Sequence, residues 1–185
     1  MKNKLKKVFA ALLTLTCLIG TLAMSSTPVM ANQTIQVEPV YRLYNPNSGE
    51  HFLSVNKAEI SNLVTAGWTK EGIVFYSPLS SANPIYRLYN SNTGNHIFVA
   101  SATEKNNLAN SGWSFEGIAF YAADNSMSCT SDIVYGEYNP NSAIGAYNYT
   151  SSYAEHYGLI NSGWVSRGDL WIEPSLNDTN VVLVH

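Results

Sequence analysis

The chain has few of the residues that build covalent or metal-stabilised small domains. Its 185 residues include two cysteines, and one of them, Cys17, lies in the leader-like N-terminal segment. The remaining cysteine, Cys129, cannot form an intramolecular disulfide by itself, and no Cys/His pattern typical of zinc sites occurs. We therefore expect no disulfide framework, no metal and no cofactor, and the pattern assigns no role to Cys129.

Positive charge and long apolar runs are also scarce. Only 12% of the residues are charged, and 10 Lys and Arg are outnumbered by 13 Asp and Glu. This balance argues against a nucleic-acid-binding surface, which needs clustered basic residues. A single long apolar stretch, residues 8–24, excludes a polytopic membrane protein.

That stretch has the features of a secretory signal peptide. Four lysines precede it, and the small residues Val29 and Ala31 follow at a suitable cleavage position. We predict a signal peptide at residues 1–31 and a single secreted or surface-associated domain at residues 32–185. An uncleaved membrane anchor is the alternative. Cleavage would leave 6 basic and 13 acidic residues, a formal charge of −7.

The predicted mature chain is a threefold repeat. Residues 40–51, VYRLYNPNSGEH, reappear 45 positions later as IYRLYNSNTGNH, and a third, degraded copy begins VYGEYNPNS at residue 134. The third copy carries two additional residues, 143–144. The repeats are predicted to cover residues 39–79, 84–124 and 133–174.

Each copy predicts a strand, a turn, a second strand, a short helix and a third strand. A helix N-cap followed three positions later by Glu marks the start of each helix, and a Gly-Trp pair marks its end. The start signals are Asn56, Ser101 and Ser152, and the stop signals are Gly67, Gly112 and Gly163. One unit of this length contains too few apolar residues to bury its own faces, whereas three units can share a core. We therefore predict a β-rich α+β fold, a closed pseudo-threefold repeat domain resembling a three-bladed propeller. The β-prone flanks at residues 33–37 and 181–184 are expected to complete the first or the last sheet.

The combination of YRLYNP, GxHF, GW and EGIxFY resembles a repeat family of secreted bacterial and fungal proteins without a settled function. Such repeats occur in threes beside cell-wall and glycoside hydrolases. The resemblance covers nearly the whole mature chain and is weakest in the third copy. It implies an accessory domain that binds glycan or cell wall, and it supplies no catalytic residues.

Two copies share the same polar residues, Arg42, His51 and Glu71 in the first and their equivalents in the second. The candidate ligand-binding residues are Tyr44, Tyr89, Asn45, Asn90, Arg42, Arg87, His51 and His96. A structural alternative is an Arg–Glu pair, with the histidine beside it, that ties the first strand of each copy to the third. A catalytic alternative uses the histidine as a base and the glutamate as its partner. The third copy has Gly136 in place of the arginine, so a charge-reversed Glu137–Arg167 pair is considered there, and His156 is expected to be a solvated helix position.

Together these features predict a secreted, non-catalytic module that binds glycan or cell wall. The alternative is a structural or protein-interaction factor, such as an adhesin or an inhibitor, whose partner is a protein. A small hydrolase is less favoured, because no asymmetric catalytic motif is present. Nucleic acid is not an expected partner, and membrane contact is expected only through the signal peptide.

Overall fold

A computed structural model describes residues 34–142 and 146–184. The predicted signal peptide and the additional residues 143–144 of the third copy lie outside the described residues. Within the described ranges, no helix combines the length and apolar character needed to cross a membrane.

Each repeat contains three strands and one helix in the predicted order. Repeat 1 comprises β1 Ile35–Tyr44, β2 His51–Ser54, α1 Lys57–Thr65 and β3 Thr69–Pro78. Repeat 2 comprises β4 Asn83–Asn90, β5 Asn95–Val99, α2 Ala102–Asn110 and β6 Ser114–Ala122. Repeat 3 comprises β7 Ser131–Tyr138, β8 Tyr147–Thr150, α3 Tyr153–Asn161 and β9 Val165–Pro174, and β10 Val181–Leu183 follows.

The strands form three small sheets, one for each repeat. In every sheet the first strand of the repeat lies in the centre and pairs antiparallel with the second and third strands. Strand β10 joins the first sheet by pairing parallel with the start of β1, from Ile35 opposite Val181 to Val37 opposite Leu183. The expectation that a flank completes a sheet is thus confirmed for the first sheet.

The helix boundaries follow the predicted signals. Each N-cap side chain accepts a hydrogen bond from the backbone N–H of the glutamate three positions later. The three glycines after the helices have φ between 94° and 96°, a conformation that costs glycine little. The N–H of the tryptophan that follows each glycine then donates to a leucine carbonyl in the last turn, which is the Schellman arrangement.

A shared core is built from equivalent residues of the three third strands. The rings of Phe75, Phe120 and Trp171 form a triangle with centroids 5.8, 6.2 and 6.0 Å apart. Around it, Leu53, Phe98 and Tyr149 are fully buried at the ends of the second strands or close to them. The structure therefore supports the prediction that the repeats share one core, in a three-part β domain.

Candidate functional site

The predicted Arg–Glu pairs are present in the first two repeats. Arg42 Nε lies 2.6 Å from Glu71 Oε2, and Arg87 Nε lies 2.8 Å from Glu116 Oε2. The histidines stand beside these pairs: His51 Nε2 is 3.9 Å from Glu71, and His96 Nε2 is 3.5 Å from Glu116. Each arginine thus ties the first strand of its sheet to the third, as the structural alternative predicted.

The sequence reasoning missed that the arginines also bridge neighbouring repeats. Arg87 Nη1 lies 3.0 Å from Glu59 of repeat 1, and Arg42 Nη1 lies 2.7 Å from Glu155 of repeat 3. Arg167 Nη2 completes the set, 3.0 Å from Glu104 of repeat 2. Each pair of repeats is therefore joined by an arginine–glutamate ion pair, across what we call the 1/2, 3/1 and 2/3 interfaces.

The sequence did contain a signal for these bridges. The glutamates three positions after the N-caps are Glu59, Glu104 and Glu155. In a capping box their carboxylates bond the N-cap N–H. In repeats 1 and 3, however, the N-cap N–H groups donate to the hydroxyls of Ser54 and Thr150. Those hydroxyls in turn donate to Glu59 and Glu155, whose other oxygens face an arginine. The signal in the sequence is thus a glutamate present in all three copies, which is free to pair with the arginine of a neighbouring repeat.

The hypothesis of a charge-reversed Glu137–Arg167 pair is wrong. Arg167 binds Glu104, and Glu137 is fully buried, with hydrogen bonds to Asn148 and His156. Glu137 occupies the place of the core residues Leu43 and Leu88, because the one-residue offset from Gly136 turns its side chain to the opposite face of the strand.

The expectation that His156 is solvated is also wrong. Its Nδ1 lies 2.5 Å from Glu137 Oε1, and its ring stacks on Tyr135 with centroids 4.6 Å apart. The position matches Ile60 of repeat 1, which is buried. Burial raises the pKa of the Glu137 carboxyl, and the hydrogen bonds from His156 and Asn148 partly offset that shift.

The predicted tyrosine and asparagine ligands are engaged within their own repeats. The ring centroids of Tyr44 and His51 are 5.2 Å apart, and those of Tyr89 and His96 are 4.8 Å apart. Asn45 and Asn90 each accept, through Oδ1, the backbone N–H two residues ahead. The asparagines therefore stabilise the turns, and the tyrosines pack on the histidines.

An open groove of about 210 Å³ lies at the 1/2 interface. Its polar wall consists of Glu59, Arg87 and Glu116, and its apolar wall includes Val55 and Ile118. Among the predicted ligand-binding residues, Arg87 lines this groove. Within the described residues, the hydrogen bonds of Arg87 use its Nε and Nη1, which leaves the Nη2 donors for a ligand.

The equivalent places at the other two interfaces carry different side chains. At the 3/1 interface, Ser151 stands in the position of Val55, and its hydroxyl donates to the carbonyl of Val74 at 2.8 Å. At the 2/3 interface, Gly136 replaces the arginine. A Cβ added to that glycine would lie 2.4 Å from Cδ1 of Leu170, so the leucine leaves no room for a side chain there. The residues that line the groove thus differ from their equivalents by a few substitutions in a symmetric frame.

Within the described residues, no group of three or more His, Cys, Asp or Glu side chains is arranged to hold a metal ion. The His51 imidazole is buried beside the Arg42 guanidinium, and its pKa lies below the ordinary value. Burial lowers its pKa, Arg42 lowers it further, and the nearby glutamates act in the opposite direction.

Comparison with known proteins identifies the family of the chain. Searches of the curated proteins and of the solved structures each found no significant similarity. A family model described as a domain of unknown function, DUF5648, matches residues 39–173. This range begins in β1 and ends in β9, so it includes strands of all three sheets. The chain belongs to the DUF5648 family.

Proposed function

We propose that the protein is a secreted, non-catalytic binding module whose ligand is a glycan or a cell-wall polymer. The observation that carries this proposal is the open groove at the 1/2 interface. It lies beside the Arg87–Glu59 ion pair, and it brings charged hydrogen-bonding groups next to apolar side chains.

The size and chemistry of the groove suit one sugar unit. At about 210 Å³ it is smaller than the roughly 300–1,000 Å³ typical of sites for drug-sized ligands. Glu59 and Glu116 can accept hydrogen bonds from sugar hydroxyls, and Arg87 can donate. Val55 and Ile118 can cover the C–H face of a pyranose ring.

Binding is favoured over catalysis because the polar groups already hold one another. His96 contacts the groove residue Glu116 with Nε2 at 3.5 Å, and its Nδ1 is 2.7 Å from Glu50. Both ring nitrogens thus face carboxylates, and neither points freely at a ligand. A general base needs a nitrogen within hydrogen-bonding reach of the substrate proton.

The proposal includes export through the predicted signal peptide and the closed, three-bladed arrangement of the sheets. Three ion pairs at three interfaces support the closed arrangement. The resemblance of the repeat motifs to those found beside cell-wall and glycoside hydrolases supports an accessory role.

A protein partner is the second candidate. Ile118 and Phe115 on β6 are exposed, as is Ile73 at the equivalent place on β3. Exposed apolar side chains on neighbouring repeats favour a protein surface of the adhesin or inhibitor kind.

A swap between two interfaces of the molecule tests the groove. Val55 and Ala119 in the groove correspond to Ser151 and Val74 at the 3/1 interface, where Ser151 bonds the carbonyl of Val74. The double variant V55S/A119V therefore gives the 1/2 interface the residues of the 3/1 interface. We expect it to fold and to lose binding to peptidoglycan sacculi, chitin and cellulose in pull-down assays.

The reciprocal variant S151V/V74A is the matched control, since it opens the 3/1 interface and leaves the groove intact. It should bind at least as strongly as the parent protein does. Equal binding by parent and V55S/A119V would remove the groove from the proposal. Failure of the parent to bind any of the three polymers would contradict the glycan function and favour a protein partner.

A further inference from the structure

The outer face of helix α3 carries an exposed aromatic surface that the other two helices lack. Tyr153 and Tyr157 are four residues apart, so they share one face of the helix, and they are 64% and 57% exposed. Their rings are nearly parallel, at 19°, with centroids 6.2 Å apart. The equivalent residues in α1 are Lys57 and Ser61. We call Tyr153, Tyr157 and Tyr135 the α3 tyrosine surface.

The third tyrosine connects this surface to the interior. Tyr135 on β7 lies edge-on to Tyr153, with centroids 5.9 Å apart, and stacks on His156. His156 is held by the buried carboxylate of Glu137 at 2.5 Å. The aromatic surface is therefore anchored by a buried polar pair and does not consist of two loose side chains on a helix.

The same tyrosine is covered in the other repeats. Lys70 Nζ lies 3.7 Å from the ring centroid of Tyr41, the equivalent of Tyr135 in repeat 1. Lys105 Nζ lies 4.9 Å from the ring centroid of Tyr86 in repeat 2. In repeat 3 these lysine positions are held by His156 and Ser166. The tyrosine ring that contacts a lysine in repeats 1 and 2 thus contacts Tyr153 in repeat 3.

We propose that the α3 tyrosine surface binds a neutral polysaccharide by stacking against the C–H faces of its sugar rings. This inference rests on the proposed function and adds a second site to the groove. The faces of aromatic rings carry partial negative charge, which attracts polarised C–H groups. Tyrosine also presents a hydroxyl at the rim for hydrogen bonds. A mature chain with a formal charge of −7 disfavours an anionic polymer.

The test exchanges residues between helices of the same fold. The variant Y153K/Y157S gives α3 the residues of α1, which are already compatible with this helix. The full chain is expressed, and the purified protein is titrated with chitotetraose and cellotetraose and incubated with chitin, cellulose and peptidoglycan sacculi. We expect at least a tenfold loss of affinity for the polymer that the parent binds.

Three controls accompany the exchange. The variant K57A/S61A alters the same positions in α1 and should bind like the parent. The variant Y153F/Y157F keeps the rings and should retain most of the affinity. A proline-rich peptide, which also stacks on tyrosines, tests the other class of ligand.

Each outcome supports or overturns the inference. Undiminished binding by Y153K/Y157S, with loss in V55S/A119V, would place the ligand in the groove and leave the proposed function standing without the α3 site. A parent protein that binds none of the polymers would overturn both proposals. A parent that binds the proline-rich peptide and no glycan would show that the occupant is wrong.

Discussion

The 1/2 and 3/1 interfaces use equivalent arginines, Arg87 and Arg42, in different surroundings. At the 1/2 interface, Arg87 lies over the ring of Phe52, with its Cζ 4.9 Å from the centroid. At the 3/1 interface, Asn148 stands in the place of that phenylalanine, and its Oδ1 accepts a hydrogen bond from Arg42 at 2.9 Å. Asn148 also donates a hydrogen bond through Nδ2 to Glu137, whose other oxygen is hydrogen-bonded to His156. One interface therefore rests on apolar packing below its ion pair, and the other rests on a buried polar chain.

The difference shows how an unequal third repeat is accommodated. In repeat 1 the core positions Leu43, Phe52 and Ile60 are apolar and buried. Repeat 3 replaces all three together, with Glu137, Asn148 and His156. Because each polar group bonds another of the set, none is buried alone, which is the condition under which such groups are tolerated.

The largest expected effect separates the two arginines. Arg42→Ala removes a side chain that is 12% exposed and leaves Glu71, Glu155 and Asn148 without their partner. We expect a loss of about 3 kcal/mol in the free energy of unfolding, near the lower limit for breaking a buried pair, because the carboxylates are partly solvated. Arg87→Ala, at a 20% exposed side chain, should cost about 2 kcal/mol.

Urea unfolding of both variants measures the comparison. The control is Lys57→Ala on the exposed face of α1, which should change the free energy little. Equal losses for the two arginines would show that the Asn148 contact adds nothing to the 3/1 interface.

The next effect concerns the polar chain itself. Glu137→Leu alone leaves His156 and Asn148 without their buried partner, and we expect it to cost about 2 kcal/mol. The triple variant E137L/N148F/H156I restores the apolar set of repeat 1. It should recover most of that loss, because well-packed apolar residues commonly replace buried polar networks without destabilisation. Thermal melts of the single and triple variants decide this, and a triple variant that is less stable than E137L would contradict the equivalence of the two interfaces.

The sequence predicted more of the frame than of its connections. Strand order, helix caps, the flanking strand and the Arg42–Glu71 pair were all accessible, because they depend on local patterns or on neighbouring strands of one sheet. The bridges from Arg87 to Glu59 and from Arg42 to Glu155 were not, because they depend on how the sheets face one another. The buried Glu137–His156 pair was misread because each residue, taken alone, is polar. Aligning Glu137 with Leu43 and His156 with Ile60 would have placed both in the core.

A third prediction concerns a buried carboxyl on β9, the third strand of repeat 3. Glu173 is almost fully buried in the position of Ser77 and Ala122, and neither of its oxygens has a hydrogen-bond partner within the described residues. Burial raises its pKa well above the ordinary value of 4.5, and the nearby indole of Trp171 lowers it slightly without reaching hydrogen-bond geometry.

The sign of the resulting pH dependence follows from that shift. A carboxyl whose pKa is raised on folding stabilises the protein below about pH 4.5, and this contribution is lost as the pH rises toward the folded-state pKa. Glu173→Gln keeps the neutral form. We expect it to match the parent near pH 4 and to be more stable than the parent at pH 8. Urea unfolding at both pH values is the measurement, and a constant difference would mean that Glu173 is not the titrating group.

The smallest expected effect concerns the two histidines beside the arginines. His96 Nδ1 lies 2.7 Å from Glu50 of the neighbouring repeat. Ala146 occupies the equivalent place for His51, whose Nδ1 is buried without a partner in the described part of the chain. Ala146→Glu should supply the missing carboxylate and raise the lowered pKa of His51, because a nearby negative charge favours the protonated ring. The accompanying change in unfolding free energy should stay within about 1 kcal/mol at pH 7, since the gain of a hydrogen bond is opposed by burial of a charge. Titration of the His51 ring signals by NMR measures the shift, and His96 serves as the internal reference. An unchanged His51 pKa would show that the 3/1 interface does not hold the new carboxylate where the 1/2 interface holds Glu50.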